Sequence, residues 1–408
     1  MRSVGNRGLP LISCDIFCNV IDNYGDIGVC WRLARQLANE HGLAVRLWVD
    51  DLSSLSKLCP EADVALGTQQ CRGVEVCHWI ADAFSSLPRP LSHGWEMGVA
   101  DLVIEAFACK LPQGYIEAMV AQAQQPVWIN LEYLSAEDWV HGCHGLPSPH
   151  PNLPLAKYFF FPGFTKQTGG LLLECDLLAR RDSFQGSVAQ QRAFWRSIGM
   201  EMPAAETLKI SLFGYENAAL DGLFDVWSGG TQPVLCLVPE GRVLPQAGQY
   251  FGDAAPCVGN AYSRGNLQVC VLPFVEQERY DELLWACDIS FVRGEDSCVR
   301  AQWAGKPFIW QIYPQHDAVH WDKLQAFLNL HNALLSPAAS NAVQGLWKAW
   351  NKECGAGQAW LAFIEVRGEL ERHAQDWARQ LAENNLALNL LDFCQKIGRM
   401  RAFKIEGQ

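Results

Sequence analysis

Basic residues are scarce in this chain. Its 32 Lys and Arg are outnumbered by 44 Asp and Glu, giving a formal net charge of −12 at pH 7. Nucleic acid and anionic membrane surfaces are held by basic patches, so no nucleic-acid or membrane partner is expected. A phosphate-bearing ligand would need local cations instead, such as Arg293 and Arg300. No apolar run is long enough to span a bilayer. Met1–Pro10 has no apolar stretch of the kind that makes a secretion signal, so a cytoplasmic protein is expected. The 16 cysteines include no C-x-x-C pair, and several (Cys14, Cys18, Cys236, Cys270, Cys287) sit inside apolar runs. That pattern fits buried free thiols in a reducing compartment better than disulfides or a zinc ribbon. The G-x-G-x-x-G fingerprint of dinucleotide sites is missing, as are fixed-period repeats and low-complexity segments. No separate D-x-D metal motif stands out, because Asp50-Asp51 closes a strand and reads as a turn or cap.

What is present suits two domains, since 408 residues with 49% hydrophobic content can fill two cores. Leu11–Val20 reads as a strand, followed by a helix with Ile27, Trp31, Ala34 and Ala38 on one stripe and then a strand at Ala44–Val49. Further strands are expected at Val74–Trp79, Asp101–Ala106 and Pro126–Leu131, with a helix near Gln113–Gln122. This alternation implies a doubly wound α/β sheet. Leu134–Gly170, rich in Pro, Gly, His and aromatics, reads as a long irregular segment, and Ser183–Ile198 as a linking helix. A second alternating set begins at strand Leu208–Phe213. Leu220, Leu223, Phe224 and Trp227 follow at the i, i+3, i+4, i+7 spacing of a core-facing helix stripe. Strands at Pro233–Val238 and Leu267–Leu272 come next, then a helix carrying Tyr280, Leu283, Leu284 and Cys287. His316–Phe403 reads as several helices. The expected domains are 1–180 and 181–374, with a terminal helix at about 375–408 packing back on the first.

The stretch Asp288–Asp317 organises the second half. An apolar strand, Ile289–Val292, leads through Arg293-Gly294-Glu295-Asp296-Ser297 into a short helix, Cys298–Ala304. Gly305 and Pro307 stop that helix, and a second strand, Pro307–Ile312, follows. In open parallel sheets, ligands bind beyond the carboxyl ends of the strands, where helix N-termini attract anions. Ser297 offers a hydroxyl to a phosphate, and Arg293 a fixed positive charge. The same residues also make a plain capped turn, with Asp296 or Ser297 as N-cap. The sequence pattern here resembles the donor half of GT-B glycosyltransferases, which implies an α/β fold of two Rossmann-like domains facing across a cleft.

Asp22 and Asp26 follow the first strand. Each has an ordinary role available, Asp22 in an Asx-turn before Gly25 and Asp26 as a helix N-cap. As a pair they also attract a cation. A guanidinium, with a pKa of roughly 13.8, can be gripped by two carboxylates and deprotonated as it attacks, so an arginine acceptor is permitted though not required. Other residue groups carry less. His316 and His320 have zincin spacing but lack the catalytic Glu. His141 and His144 lack a second ligand cluster and read as a surface loop. Most of the 16 tryptophans, Trp227 and Trp285 among them, lie on apolar helix stripes and read as core.

Four stretches, Asn19–Leu37, Phe213–Asn217, Leu272–Asp288 and Val292–His316, closely resemble the bacterial protein-arginine rhamnosyltransferases of the EarP family. The resemblance covers both expected domains. It implies dTDP-β-L-rhamnose as donor, an arginine of translation elongation factor P as acceptor, inversion at the anomeric carbon and no metal or other cofactor. Carried onto matching positions, Asp26 is the general base, Asp22 its partner and Glu295 a third essential acid. Asp296 and Ser297 meet the diphosphate end, while Phe213, Tyr215, Phe274, Gln277, Arg293 and Tyr313 form the nucleotide pocket. Alternatives are a GT-B enzyme with another nucleotide sugar or a small acceptor, and a non-catalytic nucleotide-sugar sensor.

Overall fold

The computed structural model describes residues 11–21, 24–80, 98–314 and 319–406, with side chains to residue 400. The chain divides into two compact units, Met1–Glu174 with Leu381–Gln408, and Cys175–Gln380. The first contains β1 (Ser13–Cys18), α1 (Gly25–Asn39), β2 (Ala44–Val49), α2 (Leu52–Leu58), β3 (Thr68–Cys71), β4 (Val74–His78), β5 (Leu102–Ala106), α3 (Gln113–Ala121), β6 (Val127–Leu131), α4 (Trp139–Cys143), β7 (Pro147–Pro149) and β8 (Ala156–Phe160). The second contains α5 (Leu177–Gly186), α6 (Val188–Ser197), β9 (Leu208–Leu212), α7 (Leu220–Gly229), β10 (Val234–Pro239), α8 (Leu244–Tyr250), β11 (Ala261–Arg264), β12 (Leu267–Leu272), α9 (Gln277–Ala286), β13 (Ile289–Arg293), α10 (Asp296–Ala304) and β14 (Phe308–Gln311). The helices α11 (His320–His331), α12 (Pro337–Asn351), α13 (Ala356–Glu365) and α14 (Arg367–Leu381) follow, and α15 (Leu386–Glu406) returns to the first unit, where it packs on α1 and β6.

Among the described residues the first sheet runs β3-β4-β2-β1-β5-β6-β8-β7, parallel except for the two edge hairpins. Its parallel strands, counted along the chain, stand in the Rossmann order 3-2-1-4-5-6. The second sheet, β11-β12-β10-β9-β13-β14, has parallel strands in the order 3-2-1-4-5, with antiparallel β11 at its edge. Each sheet therefore reverses direction beside its first strand, between β1 and β5 and between β9 and β13. In such sheets a crevice opens at the carboxyl ends flanking the reversal. The architecture is the pair of Rossmann-like units of a GT-B fold.

Burial explains why these segments form these elements. β1, β5, β6, β10 and β13 are buried along their whole length, as expected of parallel strands covered on both faces. The four stripe residues of α7 are all buried, as are Trp227 and Trp285. One charge lies in the middle of the first unit. Asp15 accepts from Arg46 Nε at 2.5 Å and Trp48 Nε1 at 3.2 Å, and also from Arg46 Nη2 and the Tyr115 hydroxyl. A buried ion is tolerated when its lone pairs are satisfied in this way. The pair joins β1 to β2 from within the sheet and serves the fold.

Several expectations need correction. The segment 134–170 is not structureless, because it holds α4, β7 and β8. β8 adds to the sheet by pairing with β6, with Phe160 beside Leu131. Only its last residue, Phe160, is fully buried, and the flanking Pro and Gly hide the strand in sequence. The single helix expected over Ser183–Ile198 is two, α5 and α6. Ser187 ends the first and caps the second, its side chain accepting from Gln190 N. β3, β11 and α8 are short, and the sequence pattern missed them. His141 and His144 do not form a surface loop. His141 lies in α4 beside the Thr165 hydroxyl at 3.0 Å, and His144 Nδ1 accepts from Phe161 N at 3.1 Å. Burial lowers the His144 pKa, so it acts as a neutral acceptor within the fold.

Candidate active site

In the first unit the described candidate, Asp26, lies at the start of α1, at the reversal of the sheet. Asp22 falls outside the described residues, as do His316 and Asp317. Asp26 is 3% exposed and stands in the first turn of α1. It is not the N-cap, which is Tyr24 and offers no side-chain cap. Its carboxylate instead accepts from Ile21 N at 2.9 Å and so closes the loop that returns from β1. α1 is buried well beyond the expected stripe. Arg32 pairs with Glu174 at 3.4 Å, and Gln36 Nε2 donates to Leu173 O at 2.6 Å. A helix held on so many sides gives Asp26 a fixed position. Asp51 serves α2 as its cap, accepting from Ser53 N and Ser54 N, and Asp50 accepts from Val20 N at 2.9 Å.

In the second unit the loop after β9 and the turn after β13 come together at the corresponding reversal. Phe213 and Tyr215 lie on the first, and Arg293 through Ser297 on the second. The Arg293 guanidinium carbon sits 4.7 Å from the ring centroid of Phe213 and 4.7 Å from that of Tyr215. Arg293 is 6% exposed, and among the described residues its Nη1 has no hydrogen-bond partner. A buried guanidinium stacked on two aromatic faces is stabilised by their quadrupoles, yet an orphaned N–H is costly until a ligand accepts from it.

The same turn holds its own shape. Gly294 adopts a left-handed φ of +60°, which suits glycine, and its carbonyl accepts from Trp310 Nε1 at 2.7 Å. The Ser297 hydroxyl donates to the Arg293 carbonyl and accepts from Arg293 N at 3.2 Å. Ser297 thus locks the turn from inside. Neither Ser297 nor Asp296 is the N-cap of α10. That position is Glu295, which makes no side-chain cap. Asp296, in the first turn, accepts from Gln277 Nε2 at 3.3 Å.

The remaining candidates surround this centre. Tyr313 is 44% exposed, with its ring 5.7 Å from Tyr215 and edge-on to it. Phe213 packs edge-on against Tyr280 at 5.7 Å. Burial pushes the Tyr280 phenol far up, and the Asp296 charge adds to this. Phe274 is half-buried just before α9. The structure thus brings Phe213, Tyr215, Gln277, Arg293, Asp296, Ser297 and Tyr313 to one carboxyl edge.

Two amides that the motifs did not single out also act there. Gln311 Oε1 accepts from Tyr215 N at 2.9 Å, and Asn351 bridges Trp310 O at 2.8 Å and Ile312 N at 3.0 Å. The available signal for Gln311 was a lone amide in the apolar run Phe308–Ile312.

Comparison with known proteins gives a consistent picture. A family model described as elongation factor P (EF-P) rhamnosyltransferase EarP matches residues 14–395. A protein-arginine rhamnosyltransferase of Pseudomonas putida is 54% identical over 381 residues, 93% of this chain and 97% of that protein. One from Pseudomonas aeruginosa is 48% identical over 384 residues, 94% of this chain and 99% of the other. A solved structure described as the basis for EarP-mediated arginine glycosylation of translation elongation factor EF-P is 40% identical. It has a TM-score of 0.66 and covers 94% of this chain and 98% of that one.

Proposed function

The chain belongs to the EF-P rhamnosyltransferase family EarP, a family of glycosyltransferases, and from that premise we propose that it moves L-rhamnose from dTDP-β-L-rhamnose to an arginine side chain of translation elongation factor P. The observation that carries the donor half is Arg293, a buried cation stacked on Phe213 and Tyr215 with Nη1 unsatisfied among the described residues. A diphosphate oxygen supplies what that N–H lacks, and the aromatics beside it offer faces to a thymine. Glu295 and Asp296 stand at the start of α10, where their charges oppose a second anion. The guanidinium therefore carries the electrostatic balance for a leaving dTDP.

In this reading the first unit serves the acceptor. Asp26, with Asp22, holds the arginine guanidinium. One guanidinium nitrogen attacks the anomeric carbon from the face opposite dTDP, the carbon–oxygen bond to the diphosphate breaks and Asp26 takes the proton from the attacking nitrogen. Glu295 adds negative charge for the cationic acceptor. A protein acceptor accounts for why a binding module alone would not suffice. Donor binding needs the cation and the aromatics, whereas the Asp26 carboxylate has no role in holding a diphosphate.

Competition between donors tests this. With elongation factor P present, dTDP should be released from dTDP-L-rhamnose, and UDP-sugars should be left intact. Turnover of a UDP-sugar with dTDP-L-rhamnose ignored would overturn the donor assignment.

A further inference from the structure

The spacing of Phe213 and Tyr215 about Arg293 depends on a short loop that leaves the sheet at the end of β9. Its one ladder-like bond is from Phe213 N to Phe291 O at 3.0 Å. From Gly214 onward the loop is held by side chains: Gln246 bonds both the N–H and the carbonyl of Asn217, and Gln311 at the end of β14 holds the residues before it. β14 is not a neighbour of β9, because β13 lies between them. The Gln311 amide nevertheless reaches over β13, accepting from Tyr215 N at 2.9 Å and donating to Glu216 O at 3.5 Å. Gln311 is 5% exposed, and its bond from Tyr215 N is buried. The approach is close, for a Cβ on residue 214 would stand 2.9 Å from Gln311 Oε1, and the glycine there leaves the amide its room.

The end of β14 is itself fixed. Asn351, the last residue of α12, donates to Trp310 O at 2.8 Å and accepts from Ile312 N at 3.0 Å. The Trp310 indole holds Gly294 O, and with it the turn that carries Arg293. One strand end thus grips both the loop with the aromatics and the turn with the cation.

We infer that Gln311 is a positioning residue of the donor pocket, whose side-chain amide sets Tyr215, and with it the aromatic face, at stacking distance from Arg293. The inference rests on the donor reading above. Gln311 does not touch the reacting atoms. It acts through Tyr215, so its removal loosens donor binding and leaves the chemical step nearly intact. A glutamine there merely to satisfy a buried strand would affect folding but not the balance between KM and kcat.

The test uses the full chain with dTDP-L-rhamnose and elongation factor P, and dTDP alone for calorimetry. For Gln311→Leu the donor KM and the dTDP Kd should each rise about tenfold, the order expected when one buried N–H loses its acceptor. The kcat should change less than about twofold. Gln311→Glu keeps an acceptor oxygen for Tyr215 N and should bring both constants back to within about threefold of the wild type. Should Gln311→Leu fail to fold, Asn351→Ala, which frees the strand end, carries the same expected rise. A folded Gln311→Leu protein with donor KM unchanged, or with kcat lost at unchanged KM, overturns the inference. Wild-type protein that binds no dTDP overturns the donor reading itself, and Gln311 with it.

Discussion

Asp26 carries the most specific chemical assignment. It is nearly inaccessible, and one carboxylate oxygen already accepts from Ile21 N, so its orientation is set before any acceptor arrives. Replacing it with asparagine keeps the shape and an acceptor oxygen but removes the proposed base. Asp26→Asn should lower kcat by about 10²- to 10⁴-fold, the range general bases contribute, while calorimetry shows dTDP binding nearly unchanged. Near-normal turnover would assign the base elsewhere. The sequence marks Arg293 as a charge for a phosphate and pairs Asp26 with Asp22, but the specific roles proposed for them come from the motif resemblance. Taken alone, Asp26 in a helix's first turn is an ordinary feature. Its loop-closing bond to Ile21 N, and the stacking of Arg293 on Phe213 and Tyr215, depend on packing that no local pattern encodes.

At the scale of elements, α9 and α10 are joined by a buried ion pair that serves position rather than chemistry. Arg300 donates to both Asp281 oxygens, at 2.7 and 2.6 Å, with both side chains almost wholly buried. Arg300 looked like a phosphate ligand by charge alone, yet its partner was a carboxylate nineteen residues earlier in sequence, which spacing rules do not find. Arg300→Ala takes this cation away from the buried Asp281 carboxylate, and should cost roughly 3–5 kcal/mol in denaturant unfolding.

A second element-scale effect lies in α11. His331 packs among Phe308, Phe327, Trp347, Trp377 and His373. Burial lowers its pKa to about 3, and the nearby His373 contributes. The unfolded chain binds a proton at this histidine below about pH 6.5, whereas the folded chain does not until about pH 3. Its contribution to stability is therefore complete above pH 6.5 and declines as pH falls through that window, by at most about 1.4 kcal/mol per pH unit. His331→Phe should flatten this part of the stability profile in urea titrations at pH 6.5, 5.5 and 4.5. An unchanged slope would show that other groups set the acid sensitivity.

At the scale of the molecule, the doubly wound architecture was the most legible feature. Long buried strands and helix stripes such as Leu220, Leu223, Phe224 and Trp227 leave periodic traces in the sequence. The short edge strands and the broken helix at Ser187 do not, because edge pairing and caps depend on one or two residues. The acidic balance likewise bears on the whole chain, since the charge of the proposed dTDP-sugar donor must be met by a few buried cations. If Arg293 supplies that stabilisation, the protein should remain fully active in EDTA. A strict requirement for a divalent ion would contradict it.

Among the described residues no helix is long and apolar enough to cross a membrane. The most direct measurement is the intact mass of elongation factor P after incubation with this protein and dTDP-L-rhamnose. The assignment predicts a gain of one deoxyhexose, abolished when the acceptor arginine is changed to lysine. An unchanged mass, with dTDP-L-rhamnose still bound, would contradict it.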